Sequence, residues 1–176
     1  MINIKNLKEK FFFNKNSPFR YIYFLINNLI SRFSFKKSFS QGSMDLILEH
    51  IFKTKNNGFY VDVGCQHPIK NNNTYLLYKK GWTGENIDLD NVNIDLFNFF
   101  RPNDDNVKSA VSDKIETVKL FYYHQKSPIN TLDKKVSLKQ NAKIEKEIDI
   151  QTNTLTDILN NFSINKIDLL TIDVED

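Results

Sequence analysis

Seven residues, Phe59-Tyr60-Val61-Asp62-Val63-Gly64-Cys65, constrain this chain more than any others. Val beside aromatics suits a pleated strand covered on both sides, as in a parallel sheet. Asp62 interrupts the apolar run near its carboxyl end, where a buried charge is costly unless something satisfies it. Gly64 follows where the chain must turn, and a Cβ there could block a ligand's approach. Open α/β sheets bind ligands just past the carboxyl ends of their strands. Two readings stay open on these residues alone: a nucleotide-like cofactor site, and a core strand with a capped turn.

The 176 residues suffice for one domain with a real core. Hydrophobics at 40%, with 13% aromatics, exclude intrinsic disorder. A single cysteine excludes an intrachain disulfide framework and points to a reducing, cytoplasmic compartment. The net charge of +3 hides an asymmetry. Residues 1–40 carry eight Lys or Arg against one acid, Glu9, whereas the remainder holds 16 basic and 20 acidic residues. The basic character belongs to a leader, so the body is not expected to bind nucleic acid.

That leader, residues 1–39, is set apart from a domain over 40–176. Its apolar stretch Tyr21–Ile26 is broken by Asn27 and Asn28, too short for a membrane span of about 20 apolar residues. It also lacks the cleavage site of a secretory signal. Two readings remain: an aromatic helix lying on an anionic membrane surface, or an N-terminal helix packed on the domain or a poorly ordered arm.

Beyond Ser40-Gln41-Gly42-Ser43, the residues Met44, Ile47, Leu48, Ile51 and Phe52 form one apolar helical stripe, with Ser43 as its expected N-cap. A helix is expected over Thr74–Lys80, stopped by Gly81. A second strand, Trp82–Asp88, follows. Asp90 or Asn91 caps a third helix that Arg101-Pro102 stops, and a third strand spans Val107–Val111. This strand–helix rhythm predicts right-handed βαβ units and a parallel sheet. Thr117–Tyr123 and Ile144–Ile150 alternate as an antiparallel ribbon, joined by a long mobile loop over Ser127–Asn141. Thr154-Leu155-Thr156-Asp157 reads as a capping box. Ile167–Val174 reads as a fourth strand covered on both faces.

Three strand ends place Asp62, Asp88 and Asp173 on one side of the sheet. Asp88 stands 24 residues beyond Gly64, near the spacing of about 20 at which a carboxylate takes ribose hydroxyls. The glycine fingerprint for a pyrophosphate is incomplete, since only Gly64 is present. A cofactor with ribose but no phosphate fits better, and S-adenosylmethionine is the common one.

Further residues carry a family resemblance. Ser40-Gln41 with Asp45, Gly58–Gly64, His67-Pro68, Asn73-Thr74, Leu77-Tyr78 and Gly81-Trp82-Thr83-Gly84 resemble the FkbM-type methyltransferases. So do Asn86-Ile87-Asp88, Arg101-Pro102 with Asp104 and Asn106, Ala110-Val111-Ser112, Thr154-Leu155 with Ile158-Leu159, and Ile172-Asp173-Val174-Glu175. The resemblance implies a Rossmann-like class I fold that uses S-adenosylmethionine, commonly for O-methylation of sugars or other small hydroxylated compounds. It assigns Asp62 and Gly64 to the cofactor loop, Asp88 to the ribose, Asn106 and Ala110 to the adenine side, and Asp173 and Glu175 to the reaction. Cys65, Leu89 and Asp176 depart from the family pattern, where Ala, Pro and Gly are usual.

The resemblance further implies a sheet of order 3-2-1-4, truncated after its fourth core strand in this N-terminal part of the domain. The chain is accordingly expected to associate through its open edge and to show no methyl transfer. His67, next to Pro68, is read as fixing the cofactor loop, and Cys65 as a small buried hydrophobe. No metal site is expected: Cys/His ligand spacing is missing, and Asp173 and Glu175 alternate across a strand. The acceptor would be a small molecule or glycan. The alternative function is a non-catalytic domain binding a nucleoside-like ligand or a partner protein.

Overall fold

A computed structural model describes residues 9–32, 38–125, 127, 130–139 and 143–174. Its centre is a four-stranded, wholly parallel sheet. Strands β1 (Phe59–Val63), β2 (Thr83–Asp88), β3 (Asp105–Lys108) and β7 (Leu169–Ile172) lie in the order β3-β2-β1-β7. This is the expected 3-2-1-4 order, and β7 forms an edge. A Rossmann-like α/β fold follows from it, because parallel neighbours require helical crossovers.

The period of two in β1 sends its side chains to two different layers. Tyr60 joins Leu48, Leu77 and Trp82 under helices α2 (Met44–Ile51) and α3 (Tyr75–Lys79). Val61 and Val63 join Ile87 and Ile158 under α6 (Leu155–Asn161) on the opposite face. Helix α4 (Asn91–Phe100) covers β2 and β3, burying Ile94 and Phe97 with Cys65. Asp90 caps α4 by accepting from Val92 N at 2.7 Å. The capping box at α6 forms as expected, with Asp157 N donating to Thr154 Oγ1 at 3.1 Å. Helix α1 (Phe19–Arg32) packs Phe24 against Val92 and Leu96 of α4.

The expected third strand divides in two. Ser109 N donates to Asp88 O, which ends β3. The chain then enters a second sheet, β4-β6-β5, made of β4 (Ala110–Ser112), β5 (Thr117–Tyr122) and β6 (Lys146–Thr154). β5 and β6 are the expected antiparallel ribbon, while β4 joins β6 in parallel. The Ser127–Asn141 segment is not wholly irregular: Thr131 bridges Phe121, and α5 spans Lys134–Lys139.

Three other expectations are corrected. Ser43 does not cap α2, because its φ of 62° turns the chain left-handed and its side chain makes no cap bond. Asp45 organises that corner instead, accepting from Phe39 N and from the Ser38 and Ser40 hydroxyls. Of the apolar stripe on α2, only Leu48 is buried, while Met44, Ile47 and Ile51 are exposed. Strand β7 is half-buried, not covered on both faces, with Leu170 and Ile172 exposed at the sheet edge. Among the described residues, no helix is long and apolar enough to cross a membrane.

Candidate active site

The carboxyl ends of β1, β2 and β7 open into a cavity of about 830 Å³. Gly64, Asp88, Ala110 and Asp173 all line it. Asp62 and Asn106 do not, and Glu175 lies outside the described residues. Ser109 to Asp113 form one wall, and Ser127, Asn130, Thr131 and Asp133 bring the β5–β6 connection over another.

Gly64 has a φ of +78°, which a side-chain-bearing residue rarely adopts. A Cβ there would strike the backbone carbonyl of Asp173, not a ligand. The glycine therefore lets the end of β7 close against β1, where Asp173 N donates to Val63 O at 2.9 Å. Gly64 N and Cys65 N both donate to Ile87 O, turning the chain across the top of β2. Gln66, at φ 52°, then aims its amide at Asp88 Oδ2, 2.9 Å away.

Asp88 also accepts from Asp90 N at 2.7 Å and Asn93 Nδ2 at 3.2 Å. Burial pushes its carboxyl above the ordinary range, while these three bonds oppose the rise. A carboxylate has about four acceptor positions, so one remains for a ligand. Asn93 spends its amide NH2 on Asp88, and its buried Oδ1 has no hydrogen-bond partner. An unsatisfied buried acceptor beside a carboxylate calls for an explanation, such as a donor that a ligand brings. Sequence reasoning missed Asn93, although its position one turn into the helix after Asp88 is a usable signal. Ser127 Oγ, in the cavity wall, is likewise buried without a partner among the described residues.

Asp62 and Asn106 belong to a polar layer beneath the cavity. Asp62 Oδ2 accepts from Asn72 Nδ2 and Thr74 Oγ1, each at 3.1 Å. Burial raises its carboxyl to about 6, against the pull of the Arg101 guanidinium. Arg101 is fully buried. It donates to Pro68 O, Asn72 Oδ1 and Thr74 Oγ1, clamping the loop that follows β1. Asp104 accepts from Gly84 N, Asn86 Nδ2 and the Tyr60 hydroxyl. Asn106 Oδ1 accepts from Asn86 Nδ2, and its own NH2 donates to Asn98 and to the Arg101 and Asp104 carbonyls. Asn106 is thus spent on fixing the β2–β3 edge.

His67 does what its place before Pro68 predicts: Nδ1 accepts from Ile69 N and Lys70 N, each at 3.0 Å. Burial pushes the Cys65 thiol well above its ordinary value, which leaves it inert. No cluster of metal-ligating side chains occurs among the described residues.

A sequence profile of the methyltransferase FkbM domain matches residues 62–176. The chain belongs to the FkbM methyltransferase family. The match begins at Asp62, in the strand that leads into the cavity, and takes in every residue of the constellation from Gly64 to Asp173. Helices α1 and α2 precede it. Neither a curated protein nor a solved structure matches the chain. Membership makes the FkbM chain a methyltransferase by family and directs attention to the cavity.

Proposed function

We propose that this FkbM-family chain binds S-adenosylmethionine in the 830 Å³ cavity and directs its methyl group to a hydroxyl of a sugar or other small hydroxylated acceptor. The observation that carries the reading is the pair formed by Asp88 and the orphaned Asn93 Oδ1 at the end of β2. Together they offer two hydroxyl-accepting groups side by side, which suits a ribose diol. The lining adds support. Its described residues include five aspartates, Asp88, Asp90, Asp113, Asp133 and Asp173, and neither Lys nor Arg. Such a wall disfavours a pyrophosphate and favours a cationic ligand. Val63, Ile87, Leu89 and Val111 supply an apolar surface for a base.

When bound, S-adenosylmethionine supplies an electrophilic methyl group on a positively charged sulfur. Asp88 and Asn93 hold the ribose, and the backbone turn at Gly64–Gln66 shapes the floor. Asp173 borders the opposite side, exposed to the cavity. In this reading its carboxylate accepts the proton that an acceptor hydroxyl must lose, or orients that hydroxyl. Ser127 and Asn130 add neutral hydrogen-bonding groups over the acceptor side.

Transfer of a labelled methyl group from S-adenosylmethionine to a panel of sugars and glycans tests the reading, alongside calorimetric titration of the cofactor. Cofactor binding is the expected result for this chain, and transfer to a hydroxyl is the expected result in a full-length context, with Asp173→Asn there lowering turnover and leaving cofactor affinity intact. A protein that binds the cofactor but methylates no acceptor would instead be a nucleoside-binding domain. Absence of binding would remove the proposal altogether.

A further inference from the structure

Helix α1 has its apolar side facing outward. Phe24 packs into α4, and Arg20 is buried in an ion pair with Asp95. Those residues, with half-buried Tyr23 and Asn27, mark the inward side. The outward side consists of Phe19, Ile22, Leu25, Ile26, Leu29 and Ile30, each 48–61% exposed. At 100° per residue these six positions fall on one arc of about 140°. A surface helix of a globular protein places polar residues there. Here the helix contains no acidic residue at all, and its solvent arc is made of aliphatic and aromatic side chains.

The charge around the helix gives the second half of the argument. Residues 1–40 hold eight Lys or Arg and only Glu9 as an acid. Arg20 is committed to Asp95. Of the remaining seven, Lys5, Lys8, Lys10 and Lys15 precede the helix, and Arg32, Lys36 and Lys37 close or follow it. Lys10 and Lys15 are exposed. An apolar helical arc flanked in the sequence by cations on both sides matches the two layers of an anionic bilayer surface, acyl boundary and headgroup. A second copy of this chain would bring two strongly cationic segments together, which like-charge repulsion opposes.

We propose that the outward face of α1 docks on an anionic lipid surface, with the helix lying in the plane of the interface. Phe19, Ile22, Leu25, Ile26 and Leu29 enter the acyl boundary, and Lys10 and Lys15 meet the headgroups. The docking is independent of the cofactor cavity, because α1 sits on α4 and contributes nothing to the cavity lining.

Co-sedimentation of the full chain with two vesicle types tests this: pure phosphatidylcholine, and phosphatidylcholine mixed with phosphatidylglycerol. Binding to the anionic vesicles is expected to exceed binding to the neutral ones by about ten-fold or more, and to weaken as salt shortens the screening length. The variant Ile22→Ser/Leu25→Ser/Leu29→Ser, altered only at exposed positions, should lose that binding while keeping its far-ultraviolet spectrum. A Leu25→Trp variant gives a second readout, because native Trp82 is buried in a different core cluster from Phe24 of α1 and supplies a constant background. Its emission should shift to the blue on adding anionic vesicles. Failure of the native chain to bind anionic vesicles overturns the proposal. So does a triple variant that is folded and binds undiminished, an unshifted Leu25→Trp emission, or a dimer that the triple substitution dissolves without any vesicle binding.

Discussion

Asp62 and Arg101 are joined through the same two side chains. Asn72 gives its NH2 to Asp62 and its Oδ1 to Arg101, while Thr74 Oγ1 donates toward Asp62 and accepts from Arg101 at 2.8 Å. A carboxylate at the end of β1 and a cation at the end of α4 are thereby locked together across the loop that floors the cavity. Arg101 also faces Asp104, 4.0 Å away, on its other side. One fully buried cation balances two buried carboxyls.

Removing that cation should be severe. Arg101→Ala leaves Asp62 and Asp104 without their counter-charge and unties Pro68 O. Breaking a buried ion network from one side costs about 3–5 kcal/mol. Arg101→Lys should recover only part, because a single ammonium cannot reproduce a planar fork on three acceptors. Urea denaturation measures both; a loss under about 1 kcal/mol in Arg101→Ala would show that water replaces the clamp.

Gly64 and Gly42 provide a matched pair. Both have positive φ, but a Cβ on Gly42 meets open space, whereas one on Gly64 strikes the Asp173 carbonyl. Gly42→Ala should cost about 1–2 kcal/mol from backbone strain alone. Gly64→Ala should cost roughly 1–3 kcal/mol more, from overpacking that pushes β7 off β1. Equal melting shifts in the two variants would mean that the end of β7 is not held against β1.

Glu85 points into the Val61 face of the sheet, fully buried, with neither carboxylate oxygen hydrogen-bonded. Burial, with a smaller push from Asp105, raises its carboxyl from 4.5 to about 7. Asp62 is raised likewise, to about 6. The folded state therefore holds these protons more tightly than the unfolded chain does. Their contribution to stability is fully present below pH of about 4 and is lost as pH rises through about 6 and 7. For Glu85 the loss is on the order of 2–3 kcal/mol. Denaturation between pH 4 and pH 8 should show stability falling with pH, and Glu85→Gln should remove about half of that fall, the rest belonging to Asp62. A native protein that gains stability over this window would contradict the assignment.

Asp88 and Asn93 should separate in strength. Losing a hydrogen bond to a charged group costs about 1.5–3 kcal/mol, so Asp88→Ala should weaken S-adenosylmethionine by ten-fold or more. Asn93→Ala removes a neutral acceptor and should cost about 0.5–1.5 kcal/mol, a few-fold in affinity. Calorimetry reads both, with circular dichroism as the check on folding. Affinity unchanged in Asp88→Ala would exclude the ribose assignment.

Much of the architecture was written in local pattern. The apolar run ending in Asp62-Val63-Gly64, the stop at Gly81, the cap at Asp90 and the capping box at Thr154 each depend on contacts within a few residues. They therefore predict β1, the α3–β2 turn, α4 and α6 correctly. Period-two alternation likewise exposed the β5–β6 ribbon. The order 3-2-1-4 came with the family resemblance, and the paired strands bear it out. Asp88 and Asp173 were legible at the cavity because strand ends in a parallel sheet converge on one side, whereas Ala110 came with the family resemblance.

The rest depended on partners distant in sequence. Asp62 and Asn106 carry the residue types of a binding site, but Arg101 and Asn86 claim them for the polar layer below it. Gly64 is required by the Asp173 carbonyl, more than a hundred residues later. The outward faces of α1 and α2 were read from periodicity as burial or left open, because a helical stripe states that one side is apolar and not which way that side turns. By itself, then, the sequence determined which segments become strands and helices and which carboxylates end them, since those are short-range properties of the chain. Tertiary structure decided which polar groups face the cavity and which are consumed beneath it, since a hydrogen bond goes to whichever partner the fold brings within about 3 Å.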